Sequence, residues 1–142
     1  MEIPDSIHAL VATGPLAHLT TLNADGSPHI AVVWIGIEGG EFVCAHMSMK
    51  RKIRNMERDP RVALSLLGHG TNTMGLREYL VVYGAARITE GGAAALLQRL
   101  ARIYLGPDVV FPPASSQDQP GYITRIRPER FAGVGPWNSG QQ

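Results

Sequence analysis

Six basic side chains crowd into positions 50–61: Lys50, Arg51, Lys52, Arg54, Arg58 and Arg61, against Glu57 and Asp59 alone. The whole chain holds 13 Lys+Arg and 12 Asp+Glu, so the remainder has seven basic and ten acidic residues. A weakly acidic protein thus carries one basic segment. Residues 47–61 read as a short helix with Ser48 as a plausible N-cap, its hydroxyl accepting from a free N–H of the first turn. Asp59-Pro60 ends it, because the residue before proline disfavours the α region. Unpaired N–H groups and the helix dipole favour an anion at the helix start. Lys50, Arg51 and Lys52 stand at that same end, where cations are disfavoured unless an anion binds there. A charge run is ordinarily a solvated face; the position of this one favours an anion site.

Other residue types offer less chemistry. His46, Tyr79 and Tyr83 are candidate proton donors, although tyrosines in strands more often pack and make one hydrogen bond. The five histidines show no metal-ligand spacing. Cys44 and His46 share a strand face, but two ligands do not make a zinc site, so no metal is expected. Cys44 reads as a small buried hydrophobe. Trp34 reads as core or interface, whereas Trp137, between Gly-Pro and a polar tail, is harder to place in a core. The chain lacks a Gly-Lys-Ser phosphate loop, a dinucleotide glycine fingerprint and a serine nucleophile elbow.

The elements that would position these residues are mostly strands. Residues 5–13 predict a short helix capped by Asp5 or Ser6, and Gly14-Pro15 ends it. Residues 16–22 and 28–37 form two strands around the 24–27 turn, whose Asp25-Gly26 pair is a strong hairpin signal. The run 31–35 is apolar throughout, which predicts a strand covered on both faces. A turn at 38–40 leads to a third strand, 41–46, that enters the basic helix. Residues 61–67 and 77–89 are the fourth and fifth strands, joined by a 68–75 loop. Gly84 implies a bulge or a close backbone approach. Thr89-Glu90 opens a helix over 93–105 with Leu96, Leu97, Leu100, Ile103 and Tyr104 at helical spacing. A long loop, 108–120, follows. Residues 121–127 and 130–134 are two more strands around a Pro128-Glu129 turn. Six or seven antiparallel strands with flanking helices predict a small barrel.

The 142 residues suit a single domain, 1–142, with a proper core. A net charge of +1 argues against a general nucleic-acid binder. One cysteine suits a reducing cytoplasm. No run of about 18 apolar residues is present, and the first residues lack a signal-peptide pattern, so a cytoplasmic location is expected.

Taken together, the Asp-Gly turn, the apolar strand ending in Val33-Trp34, the Gly-Gly turn, the helix with Lys52-Ile53-Arg54-Asn55 and the Asp59-Pro60-Arg61-Val62 stretch resemble the pyridoxamine-phosphate-oxidase-like family. Tyr79 to Ile88 looks like that family's following strand. Residues 100–108 and the closing Gly133-Val134-Gly135-Pro136-Trp137 are similar to the branch that uses the deazaflavin coenzyme F-420. The resemblance implies an FMN-binding-type split β-barrel and a homodimer with cofactor at the subunit interface. It implies that Lys50, Arg51 and Lys52 hold the cofactor phosphate. It places the ring against backbone at Val32, Val33 and Trp34 and at Ala45, His46, Met47 and Ser48, with Trp137 closing the pocket from the partner subunit. The phosphate oxidase itself carries an arginine-rich substrate tail; residues 137–142 contain no arginine, so oxidation of a vitamin B6 phosphate is not expected.

These readings make the protein an oxidoreductase passing a hydride from reduced coenzyme F-420 to a small unsaturated or conjugated substrate. The cofactor would supply the hydride chemistry and the protein its orientation, so no essential acid–base residue is expected. An FMN flavoprotein is the near alternative. A non-catalytic heme or cofactor carrier, or a nucleic-acid-binding barrel, is the alternative of another class. Aromatic residues for base stacking are sparse around the basic helix, which disfavours nucleic acid.

Overall fold

The structure is a computed structural model and describes residues 1–138. The polar tail beyond Asn138 lies outside the described residues. Among those described, seven strands form one antiparallel sheet in the order β2-β1-β5-β6-β7-β4-β3. The strands are β1 (Ala17–Leu22), β2 (Pro28–Val33), β3 (Gly36–Glu38), β4 (Glu41–His46), β5 (Arg61–Thr71), β6 (Arg77–Glu90) and β7 (Tyr122–Val134). Three helices flank them: α1 (Asp5–Val11), α2 (Arg51–Arg58) and α3 (Ala93–Tyr104).

The two edge strands, β2 and β3, are consecutive in the chain. The expected single strand 28–37 therefore breaks at Trp34-Ile35, and its halves lie on opposite edges of the sheet. The sheet must curl for one short link to join both edges, and no β2–β3 ladder closes it. This is a split barrel.

Period-two alternation sets its inside and outside. Ala17, Leu19, Leu64, Leu66, Leu80 and Val82 point inward and are fully buried or nearly so. Ile7, Leu10 and Val11 of α1 cover one end of this core. On the outside, α3 covers β4 and β7 through Leu96 and Leu100 against Val43 and Ile123. The outer face of β2, β1, β5 and β6 has no such cover. There Val32 pairs with His18, Ala63 with Tyr83 and Leu67 with Tyr79. Ile30, Val32, Leu67, Tyr79 and Tyr83 are exposed on it, Ile30 by 63% and Val32 by 56%. The 31–35 run is thus apolar without being covered on both faces by the described residues.

Other boundaries also differ. No side chain caps α1; Pro4 is its N-cap residue. Thr89 and Glu90 end β6, and α3 starts after Gly92, whose left-handed backbone turns the chain into the helix. The first half of the 68–75 segment is strand, since β5 runs to Thr71 and pairs Thr71 with Arg77. Pro128-Glu129 is no turn: β7 is continuous, and Pro128 faces Gly84 where the β6–β7 register shifts. A Cβ on Gly84 would collide with the Arg127 carbonyl oxygen. The bulge and the close approach expected at Gly84 are one feature, and the proline, lacking an N–H, sits where ladder pairing is already interrupted.

Candidate functional site

The basic segment folds as α2, but Ser48 does not cap it. Lys50 is the N-cap residue, with extended backbone (φ −127°, ψ 168°) and no side-chain cap. Ser48 lies exposed two residues earlier. No acidic residue occupies the first turn. Ile53 and Met56 pack inward and seat the helix on the barrel.

Helical spacing then sorts the cations. Arg51, Arg54 and Arg58 recur at three- and four-residue intervals and share a face. With Lys50 they line a cavity of about 610 Å³ opposite the β1–β2 hairpin, which contributes Asn23, Asp25 and Ser27. Lys52 leaves this set and lines a second cavity. Arg61 also leaves it. Its guanidinium holds the Asp59 carboxylate at 2.8 Å, and the hydrogen bonds from Arg61 bring Asp59 down to about 2.

A buried amide fixes the helix against the hairpin. Asn55 is 3% exposed, and its Nδ2 donates to Thr21 Oγ1 and Asn23 Oδ1, both at 3.0 Å. Arg58 Nη2 donates to Asn55 Oδ1 at 3.0 Å and to the Leu22 carbonyl at 2.5 Å. At the hairpin tip, Asp25 Oδ1 accepts from the Ser27 hydroxyl and backbone N–H, which lowers the Asp25 pKa. That carboxylate is occupied by its own turn, so the cavity wall remains dominated by positive charge.

The second cavity, about 230 Å³, is lined by Val32, Val33, Trp34, Ala45, Lys52, Leu97 and Phe111. Apart from the lysine its walls are apolar. Trp34 stacks on Tyr104 (5.3 Å between centroids, 12° between planes) and lies 5.4 Å from the Phe111 ring. Tyr104 is itself tied down, its hydroxyl donating to the Pro15 carbonyl at 2.6 Å and accepting from Ile35 N at 3.1 Å. Burial pulls the Lys52 ammonium below the usual lysine value, and Lys50 nearby adds to the effect. The start of α2 contributes to both cavities, Arg51 to one and Lys52 to the other.

The structure thus brings Val32, Val33, Trp34, Ala45 and Lys52 to one cavity and Lys50 and Arg51 to the next, with Met47 and Ser48 on the segment between strand and helix. His46 points elsewhere. It is buried, and its Nε2 lies 2.8 Å from Thr124 Oγ1 and 3.6 Å from Cys44 Sγ. Burial, reinforced by the charges of Lys52 and Lys50, holds it at about 3, so it is neutral near pH 7 and no proton donor there. Burial also pushes the Cys44 thiol up to about 12, which suits an inert core residue. Tyr79 and Tyr83 stand on the open sheet face, with Arg130 4.2 Å from the Tyr83 ring centroid. Among the described residues no group of three or more His, Cys, Asp and Glu side chains is placed to hold a metal.

Trp137, hard to place in a core from the sequence, lies in one. Its indole is 9% exposed within the main core of its own barrel and donates to the Tyr79 carbonyl at 3.1 Å. Gly135 allows this, because a Cβ there would collide with the indole ring. Sequence reasoning also missed Asn55, Leu97 and Phe111. Asn55 could have been found as a polar residue on the inward face of an amphipathic helix; Phe111, in a long loop, carried no periodic signal.

The split barrel thus carries a cationic cavity and an aromatic-walled one on either side of the start of α2. The sequence matches the pyridoxamine 5'-phosphate oxidase family over residues 3–135, and the chain belongs to that family. Among solved structures it is similar to an F420 reductase, with 27% identity, a TM-score of 0.71 and coverage of 92% of this chain and 98% of that one. A conserved hypothetical protein from Mycobacterium tuberculosis is 24% identical with a TM-score of 0.71, covering 94% of this chain and 84% of that one. HutZ, the heme storage protein from Vibrio cholerae, shares the fold at 20% identity and a TM-score of 0.63, covering 94% and 95%. No curated protein matches the sequence.

Proposed function

We propose that this protein is a homodimeric oxidoreductase that holds coenzyme F-420 and passes a hydride from its reduced form to a small unsaturated or conjugated acceptor. The observation that carries this reading is the division of cations between two cavities at the start of α2. A flavin monophosphate bears nearly two negative charges and is satisfied by about two or three cationic or N–H partners. Lys50, Arg51, Arg54 and Arg58, lining about 610 Å³ at an uncapped helix start, exceed that need. They suit a longer tail that spreads phosphodiester and carboxylate charge. The apolar cavity at Val32, Val33, Trp34 and Ala45 suits a flat ring. The F420 reductase at 27% identity supports the same reading.

Bound there, the deazaflavin supplies the hydride chemistry. The chain's own residues bind and orient. Lys50, Arg51, Arg54 and Arg58 anchor the anionic tail, Lys52 sets a positive charge beside the ring, and Trp34 and Phe111 keep water from its edge. The uncovered sheet face carrying Ile30, Val32, Tyr79 and Tyr83 is the surface for the second subunit, since exposed apolar patches of this kind mark interfaces. Val32 belongs both to that face and to the ring cavity, so a partner seated there borders the cofactor.

The test is a fluorescence titration of purified protein with oxidised coenzyme F-420 and with FMN, repeated for Arg54→Ala. We expect tight deazaflavin binding, weaker FMN binding, and a roughly tenfold loss of deazaflavin affinity in the variant. Preferential FMN binding would make the protein a flavoprotein. Binding of neither would overturn the cofactor reading and favour the heme or carrier alternative.

A further inference from the structure

The loop after α3 is long, yet part of it is pinned by one side chain. Gln98, half-buried on α3, accepts from the Phe111 N–H through Oε1 at 3.0 Å and donates to the Val109 carbonyl through Nε2 at 2.8 Å. A single carboxamide therefore pairs with backbone groups two residues apart, as a neighbouring strand would. Val110, between them, turns outward and is 72% exposed. Phe111 turns inward, where its ring lies 5.4 Å from Trp34 and lines the apolar cavity. Leu97, adjacent to Gln98, lines the same cavity. The 68–75 segment has no part in it: Gly68 and His69 line a separate cavity with Leu16, His18 and Arg77.

We infer that Gln98 is a positioning residue for the ring cavity. Its amide clamps residues 109–111 so that Phe111 forms a fixed aromatic wall, and this wall limits the cavity to one flat fused-ring system. The cavity's volume of about 230 Å³ lies below the roughly 300–1,000 Å³ of sites that enclose whole drug-sized ligands. Trp34 and Phe111, packed on each other with centroids 5.4 Å apart, make one continuous aromatic wall, which favours a planar π-system over an aliphatic one. In a loop of this length the clamp fixes the backbone on both sides of Val110 and so helps to hold Phe111 at its distance from Trp34. The inference rests on the proposed reading of this cavity as the ring site and adds what sets its width.

A double-mutant cycle tests it with two probes: lumichrome, a flat tricycle without phosphate or tail, and oxidised coenzyme F-420. Gln98→Met removes both hydrogen bonds at similar length, and Phe111→Ala removes the wall. Each single variant should weaken both probes roughly five- to tenfold. In the Phe111→Ala background, Gln98→Met should cost nothing further, because Gln98 acts through Phe111. Losses that add, or an unchanged affinity in Gln98→Met, would overturn the inference. A fold defect in Gln98→Met, seen by circular dichroism, moves the same cycle to Gln98→Glu, which keeps the acceptor. If wild type binds lumichrome with this coupling but not coenzyme F-420, the proposed function fails while the clamp stands. If wild type binds coenzyme F-420 alone, the cycle is read with that probe. If wild type binds neither, the ring cavity itself is refuted.

Discussion

Acidification should destabilise this protein through one buried imidazole. His46 is shifted from an ordinary value near 6.5 to about 3, chiefly by burial. Its hydrogen-bonding neighbours are Thr124 Oγ1 and Cys44 Sγ, and the nearby charges, Lys52 and Lys50, are both positive. A lowered histidine pKa means that, between these values, the unfolded chain takes up a proton that the native state refuses. Stability is therefore fully present above about pH 6.5 and falls with pH towards 3, by about 1.4 kcal/mol per unit. Between pH 7 and 4.5 the loss is about 2.6 kcal/mol on that slope. With a urea m-value of about 1–3 kcal/mol/M, the midpoint should fall by about 1–2.6 M. Urea titrations across this range, on wild type and His46→Gln, check it. The glutamine retains an amide for Thr124 but does not titrate, so its midpoint should change far less. Asp59 is also lowered, to about 2, but it acts below about pH 4 and leaves this window clear. Parallel pH profiles for the two proteins would refute the argument and place a protonated imidazole in the fold.

Two further substitutions separate structure from site. Trp137→Ala should cost about 3–5 kcal/mol, since it empties a core position and orphans the Tyr79 carbonyl, and should lower Tm by roughly 10–20 °C. An unchanged Tm with lost cofactor affinity would instead return Trp137 to a partner's pocket. Asn55→Ala should cost about 2–3 kcal/mol by leaving Thr21, Asn23 and Arg58 short of a partner. It should also weaken coenzyme F-420 binding severalfold as the 23–27 hairpin loosens, and a stability loss with unchanged affinity would remove the hairpin from the site.

The sequence displayed the strands through their alternation and the basic helix through its charges, because those signals are local. What it concealed depends on pairing at a distance. The 31–35 run looked covered on both faces, yet Ile30 and Val32 face outward at an edge strand that none of the described residues covers. Pro128-Glu129 looked like a turn; it is the partner of the bulge at Gly84, and only the β6–β7 register reveals that. Trp137 looked out of place beside Gly and Pro, yet Gly135 is what lets the indole fold back into the core. Phe111 lines the apolar cavity while its N–H donates to Gln98, thirteen residues earlier on α3, a relation without periodic trace.

The helix itself could have been read further. Arg51, Arg54 and Arg58 follow helical spacing, Ile53 and Met56 mark the buried side, and Lys52 falls between the two. That rotation alone separates one cation from the other three. Like charges at such spacing repel by about 0.2–0.5 kcal/mol per pair, and no acid in the first turn offsets them. The stripe is thus unfavourable for the protein alone and favourable with an anion bound. A ligand at a hundred times its Kd would return about 2.7 kcal/mol, more than the repulsion costs. The arrangement therefore makes physical sense as a binding device. The same accounting explains why Arg61, which has Asp59 as its own counter-ion, belongs to the strand and not to the site.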